Sequence, residues 1–171
     1  MSPAQMQKRT LEINRNKKSD TLLDRDPSQA NILVATIDPE IHLGLTELFQ
    51  SFSLNTIWLR GVESAKNILA RQKIAACFCG FWLQDGTYRE IVRHIRRERM
   101  DIPVIIVSTP ACPEKYPEYL SAINLGALDF LSHPYRKNDF ERMLRVALGP
   151  LLESIGNPEP TGSDLSAQKT A

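Results

Sequence analysis

The strongest constraint on this chain is an alternation repeated five times between residues 31 and 149: a short apolar run, then a segment with apolar residues at helical spacing. Ile32–Ile37 (ILVATI) is short, β-branched and apolar throughout, the pattern of a strand buried on both faces. Asp38 and Pro39 then form a helix start, with a side-chain acceptor at the N-cap and a ring suited to the first helical position. Ile41, Leu45, Leu48 and Phe52 continue at helical spacing. Thr56–Leu59 is a second strand, and Val62, Ala65, Ile68 and Leu69 mark a second helix. Ile74–Cys79 is a third strand; after an Asp85-Gly86 turn, Tyr88, Ile91, Val92 and Ile95 mark a third helix. Ile102–Val107, the most apolar run, is expected at the sheet centre, followed by a Tyr116–Leu125 helix stopped by Gly126. Asp129–Leu131 and Phe140–Leu148 complete the series. Helical crossovers set like-directed strands side by side, so five such units imply a parallel sheet with helices on both faces. Ligands in such sheets bind at the carboxyl ends of the strands. Here those ends are Thr36-Ile37-Asp38, Gly80, Ser108 and His133-Pro134.

Residues 31–149 are read as one domain, with 1–30 a disordered basic tail and 150–171 a disordered C-terminal tail. Residues 1–30 carry six basic and four acidic residues without a sustained apolar period, and the last stretch passes into Asn, Pro, Gly, Ser and Thr. Neither tail buries enough apolar surface to offset its ordering entropy. A net charge of +1 over 171 residues argues against nucleic-acid binding as the main role. No apolar run reaches the ~20 residues that cross a bilayer, and the N-terminus lacks the apolar stretch of a secretory signal. Three cysteines make no disulfide framework, so a reducing cytoplasm is expected.

Four phrases, ILVATIDPEI, CGFWLQDGTYREIVRHIR, IPVIIVST and LGALDFLSHPY, resemble the response-regulator receiver domain of bacterial two-component signalling and phosphorelays. The resemblance covers residues 31–149 in order and implies a flavodoxin-like (βα)5 doubly wound parallel sheet of order 2-1-3-4-5. In that family a carboxylate after the third strand accepts a phosphoryl group from a histidine kinase. Two acidic residues after the first strand help it hold Mg²⁺, a hard cation that takes oxygen ligands. A hydroxyl after the fourth strand and a Lys after the fifth contact the phosphoryl oxygens.

Carried over position by position, the acidic pair falls on Thr36 and Ile37, with Asp38 one place later as a helix cap. The phospho-acceptor falls on Gly80, because Leu83–Gly86 (LQDG) aligns without a gap to the family's following turn. The hydroxyl is retained as Ser108, the Lys falls on His133 before Pro134, and the switch aromatic falls on Phe130. Glycine cannot be phosphorylated and isoleucine cannot ligate Mg²⁺. The expectation is a stand-alone pseudo-receiver: not an enzyme, without cofactor, metal site or Mg²⁺. It would bind a signalling protein, a histidine kinase component or itself, without direct nucleic-acid or membrane contact. The expected surface is the face of the fourth helix, fifth strand and fifth helix, with Tyr119, Phe130, Tyr135 and Arg136.

Two alternatives belong to other classes. One is an active phosphorelay receiver with a relocated acceptor, Asp85 or Asp38, although a turn and a cap already account for these. The other is a small-ligand or redox sensor using the emptied pocket near Thr36, Gly80, Ser108 and His133, with Cys79 beside it. Cys77 and Cys79 share a strand face and read as small apolar core residues, whereas Cys112 is the candidate exposed thiol. His42 and His94 read as solvent-facing, and a Ser108–His133 hydrogen bond would be structural. Arg89, Arg93, Arg96, Arg97 and Arg99 read as a solvated basic face tempered by Glu90 and Glu98. The segment from Ser108 to Gly126 is longer than the family's usual spacing and carries Pro110, Pro113 and Pro117, which would stiffen it and hold one state.

Overall fold

The computed structural model describes residues 31–110 and 115–149; both tails, Cys112 and Pro113 lie outside the described residues. Five parallel strands form one sheet: β1 (Asn31–Ala35), β2 (Asn55–Leu59), β3 (Ile74–Gly80), β4 (Val104–Ser108) and β5 (Asp129–Ser132). Their order is β2-β1-β3-β4-β5, as the alternation and the resemblance imply. The helices are α1 (Pro39–Ser51), α2 (Val62–Arg71), α3 (Tyr88–Arg97), α4 (Lys115–Leu125) and α5 (Lys137–Leu148).

The two faces divide the side chains by strand alternation. Val34, Phe78, Ile105 and Leu131 point to a core closed by Ile41, Leu45 and Phe49 of α1 and by Phe140, Met143 and Leu144 of α5. Leu33, Cys77, Cys79, Ile106 and Phe130 point the other way, onto Ala65 and Leu69 of α2, Ile91, Val92 and Ile95 of α3, and Ala122 of α4. Four rings knit the first core together. Phe49 meets Phe78 at 5.1 Å and Phe140 at 5.0 Å edge-on, and Phe52 lies 5.8 Å from Phe140.

Several elements differ from their expected positions for identifiable reasons. β3, buried along all seven residues, holds the middle of the sheet, and the more apolar β4 is its neighbour. Hydropathy reports burial on two faces, which β4 shares with β3, and cannot order the two. β4 starts at Val104 because Pro103 has no N–H for the ladder, although its carbonyl still accepts from the Cys77 N–H at 2.9 Å. α5 starts three residues before Phe140 because its first turn, Lys137-Asn138-Asp139, is exposed and leaves no apolar mark. A small antiparallel ribbon, Trp82–Leu83 with Gly86–Thr87, follows β3 around the Asp85-Gly86 turn. Gly126 ends α4 at φ 110°, a backbone conformation that favours glycine.

Candidate functional site

β1 ends at Ala35, two residues earlier than its apolar run. The Thr36 N–H still reaches the Leu59 carbonyl at 2.9 Å, and the chain then turns into α1. Asp38 is the cap the sequence calls for: its Oδ1 accepts from the Glu40 N–H at 2.8 Å, and Pro39 follows at the helix start. The Asp38 N–H in turn donates to Thr36 Oγ1 at 3.0 Å, folding the Thr36 side chain over the strand ends.

That hydroxyl explains Gly80. A Cβ at position 80 would lie 2.8 Å from Thr36 Oγ1 and 3.1 Å from Ile41 Cδ1. The place of a Cβ at the end of β3 is thus crowded by one residue from the β1–α1 connection and one from α1. Nor do the neighbouring groups suit Mg²⁺, which needs several oxygen ligands. The Thr36 hydroxyl accepts the Asp38 N–H, the Ile37 side chain has no ligand atom, and one Asp38 oxygen serves the cap. Among the described residues no group of three or more His, Cys, Asp or Glu side chains could hold a metal ion.

Ser108 is fully buried, its hydroxyl has no hydrogen-bond partner among the described residues, and its carbonyl accepts from the Tyr135 hydroxyl at 2.8 Å. The expected Ser108–His133 bond is therefore not formed. His133, joined to Pro134 by a cis peptide, instead sets its ring edge-on to Tyr135 at 5.3 Å. Tyr135 is likewise not on the expected partner face. It leans across the sheet edge onto α1, where a Cβ at Gly44 would lie 2.6 Å from Tyr135 Cδ2. Burial, then the nearby charges of Asp38 and Glu40, raise its phenol pKa.

The open space at this edge is a cleft of about 530 Å³ walled by Thr36, Ile37, Asp38, Phe81, Trp82 and Thr109, among others. Ser108 and His133 are not in its walls, so the pocket is bounded differently from the one the strand-end residues suggest. Cys79 is closed off as well. Cys77 and Cys79 are free and fully buried; burial pushes the Cys77 thiol up to about 12 and the Cys79 thiol well above its usual value. Reactive thiols need the opposite shift.

Phe81, next to Gly80, begins a chain of edge-on rings that the sequence does not disclose. It meets Tyr88 at 5.4 Å and Phe130 at 5.5 Å, and Phe130 meets Tyr119 at 6.0 Å. Phe130 is buried, Tyr119 is partly exposed on α4, and Arg136 is exposed just before α5. Glu118 ties α4 to α3, accepting from the Tyr88 hydroxyl at 3.0 Å and from Arg89 Nη2 at 3.0 and 3.2 Å. Arg96 donates to the Gly126 carbonyl and Arg97 pairs with Glu98 at 3.0 Å. Arg89 and Arg96 of the basic face thus hold α4 and its C-terminal end, whereas Arg97 pairs locally. His42 is exposed against the Trp58 ring at 4.2 Å, whereas His94 is half-buried with Nε2 unpartnered among the described residues.

Asp85 has a role no local pattern reveals. Its Oδ1 accepts the Val62 N–H at 2.5 Å and its Oδ2 the Glu63 N–H at 3.1 Å, capping α2 from 23 residues away. Gly61, the residue at the cap position, makes no side-chain cap and lies where a Cβ would be 2.8 Å from that carboxylate. The Glu63 and then the Val62 backbone N–H hold the Asp85 carboxyl below its ordinary value. A lowered folded pKa contributes stability above the unfolded value, and that contribution is lost as pH falls through the folded one. Asp85→Asn is therefore expected to lower the urea midpoint at pH 7, with the gap to the wild type closing below about pH 4. A gap that stays constant from pH 7 to pH 3 would contradict the cap.

No family model matches the chain. The response regulator protein PilR of Pseudomonas aeruginosa is 25% identical over 132 residues, 77% of this chain and 28% of PilR. The chain thus spans little more than a quarter of that relative. Among solved structures, the receiver domain of a sensor histidine kinase from P. aeruginosa, with a magnesium ion in its active-site cleft, matches with TM-score 0.61 at 18% identity. That match covers 70% of this chain and 98% of the other. The signal receiver domain of an HD domain-containing protein from Pseudomonas fluorescens matches with TM-score 0.63 at 19% identity, covering 74% and 92%.

The chain has the receiver fold. Within this fold the strand order, the Asp85-Gly86 turn after β3 and the aromatic on β5 match the resemblance. The β3 position that the resemblance assigns to the acceptor is Gly80, where a Cβ would crowd Thr36 and Ile41.

Proposed function

We propose that this receiver is a pseudo-receiver of the two-component type, acting by protein–protein interaction without phosphorylation. One observation supports the reading: the position that the resemblance assigns to the acceptor is Gly80, where Thr36 Oγ1 and Ile41 Cδ1 crowd the place of a Cβ. Neither enzymatic activity nor Mg²⁺ dependence is expected, since the positions matching the metal-binding pair are Thr36 and Ile37. The partner is a signalling protein, a histidine kinase component or a second copy, in a bacterial cytoplasm. It would engage the face of α4, β5 and α5, where Tyr119 and Arg136 are accessible and Phe130 supports Tyr119 from beneath. Among the described residues no helix is long and apolar enough to cross a membrane. With α4 held to α3 through Glu118, regulation rests on partner concentration and on any intrinsic two-state equilibrium of this face.

Asp38 and Asp85 are poor relocated acceptors. An oxygen of Asp38 and both oxygens of Asp85 accept backbone N–H groups at helix starts. The small-ligand reading keeps one supporting observation, the cleft, whose size lies in the usual range for ligand sites. Thermal-shift screening with nucleotides and metabolites addresses it. The decisive test is chemical. Mg²⁺ with beryllofluoride is expected to leave the amide spectrum unchanged, and a small phosphodonor to yield no acid-labile phosphate. Specific shifts around Gly80, or a stable phosphoprotein, would overturn the proposal.

A further inference from the structure

The cleft beside Gly80 has an unusual balance for a site at receiver strand ends. Its walls are largely apolar, with Ile37 38% and Trp82 69% exposed. Among the described residues the charged side chains in those walls are Asp38 and Glu40, both negative. Their field reaches Tyr135, whose phenol they help to keep protonated. Such a site repels phosphates and nucleotides. It favours a cationic group attached to an apolar body.

This chain carries a segment of that chemistry. Residues 8–18 (KRTLEINRNKK) hold five basic residues against one acidic, with Leu11 and Ile13 between them. Twelve residues, 19–30, separate that segment from the start of β1 at Asn31. β1 is five residues long, about 17 Å, and runs from the opposite edge of the sheet toward the cleft. A linker of this length spans about 43 Å when extended and about 20 Å as a flexible coil. Its reach therefore matches the distance to be covered, the condition under which a tethered segment has its highest effective concentration.

We propose that residues 8–18 dock in this cleft, their Lys and Arg side chains on Asp38 and Glu40 and their Leu11 and Ile13 against Ile37 and Trp82. The chain would then occupy, with its own cationic segment, the edge that phosphorylating receivers give to Mg²⁺ and a phosphoryl group. A partner needing that edge would have to displace the segment. The inference rests on the reading that no phosphoryl group is carried here.

The test uses the full chain, ¹⁵N-labelled. Replacing Lys8, Arg9, Arg15, Lys17 and Lys18 together with Glu is expected to shift the Trp82 indole signal and the amides of residues 36–41 and 81–83, and few others. Raising salt from about 0.05 to about 0.5 M on the unaltered chain should move the same signals the same way, since exposed charge contacts are screened. A peptide of residues 5–20 added to the altered chain should reverse the shifts. Unmoved cleft signals in both series, or shifts centred on α3 or α4, would overturn the proposal. Cleft shifts that depend on protein concentration would make a second copy the occupant and overturn it too. A phosphoprotein in the phosphodonor assay would sink the pseudo-receiver reading, a result distinguishable from any outcome of these shifts.

Discussion

Gly80→Asp, which places a carboxylate where the resemblance puts the acceptor, is expected to destabilise the protein by about 4 kcal/mol and to leave it unphosphorylated. Two costs add. A Cβ at this position overlaps Thr36 Oγ1 at 2.8 Å and presses on Ile41 Cδ1 at 3.1 Å, and overpacking of this kind typically costs about 1–3 kcal/mol. Residue 80 is also buried, and a carboxyl placed there without a partner adds about 1–3 kcal/mol. Against a typical domain stability of about 5–15 kcal/mol the combined loss is large and visible in a urea titration. Phosphorylation should still fail, because Thr36 and Ile37 supply no carboxylates for Mg²⁺. A stable phosphoprotein from this single variant would contradict the account. The steric part can be isolated with Gly80→Ala, expected to be destabilising alone and less so by about 1 kcal/mol when Thr36→Ala removes the crowding hydroxyl. Strict additivity of the two changes would show that Thr36 is not what fills the position.

Phe140→Ala is expected to cost about 3–5 kcal/mol, comparable to the largest single losses in protein cores. Phe140 is fully buried on α5, with Phe49 at 5.0 Å, Phe78 at 5.6 Å and Phe52 at 5.8 Å. It therefore fixes α5 and α1 to the central strand at once. α1 supplies Ile41 to the filled acceptor position and begins at the Asp38 cap, so loosening this cluster also loosens the cleft. Chemical denaturation gives the energy, and amide exchange should show protection lost across both helices. A loss below about 1 kcal/mol would mean that the ring contacts are dispensable.

The βα alternation was legible because apolar periodicity is a local property, and α1 shows its resolution. Ile41 and Leu45 are buried as the spacing implies, whereas Leu48 and Phe52 only flank the core and Phe49 completes the buried row. A stripe on a helix is broad, and which residue at its edge turns inward depends on what lies opposite. That Thr36, Ile37 and Gly80 stand at strand ends was also legible; their match to the family's metal-binding pair and acceptor comes from the resemblance. Tyr135 was not. Its short distance along the chain from β5 suggested the α4–β5–α5 surface, yet its ring covers Gly44 of α1 and its hydroxyl reaches the Ser108 carbonyl. The direction of a side chain in a connection is set by the elements it meets, and those were invisible.

The sequence by itself determined that this chain folds as five βα units and that Asp38 caps α1, both from residue type and near-neighbour spacing. The family resemblance added the expectation that the acceptor position falls on Gly80. Only the tertiary structure decided that Thr36 and Ile41 crowd the place of a Cβ at Gly80, and that Asp85 caps a helix 23 residues earlier. Only it showed that Glu118 ties α4 to α3 and that Asp38 and Glu40 are the charged side chains among the described walls of the cleft. The physical reason is the same in each case. These arrangements pair groups far apart in the chain through distances of a few ångströms, and such distances exist only once the sheet has brought its strand ends together.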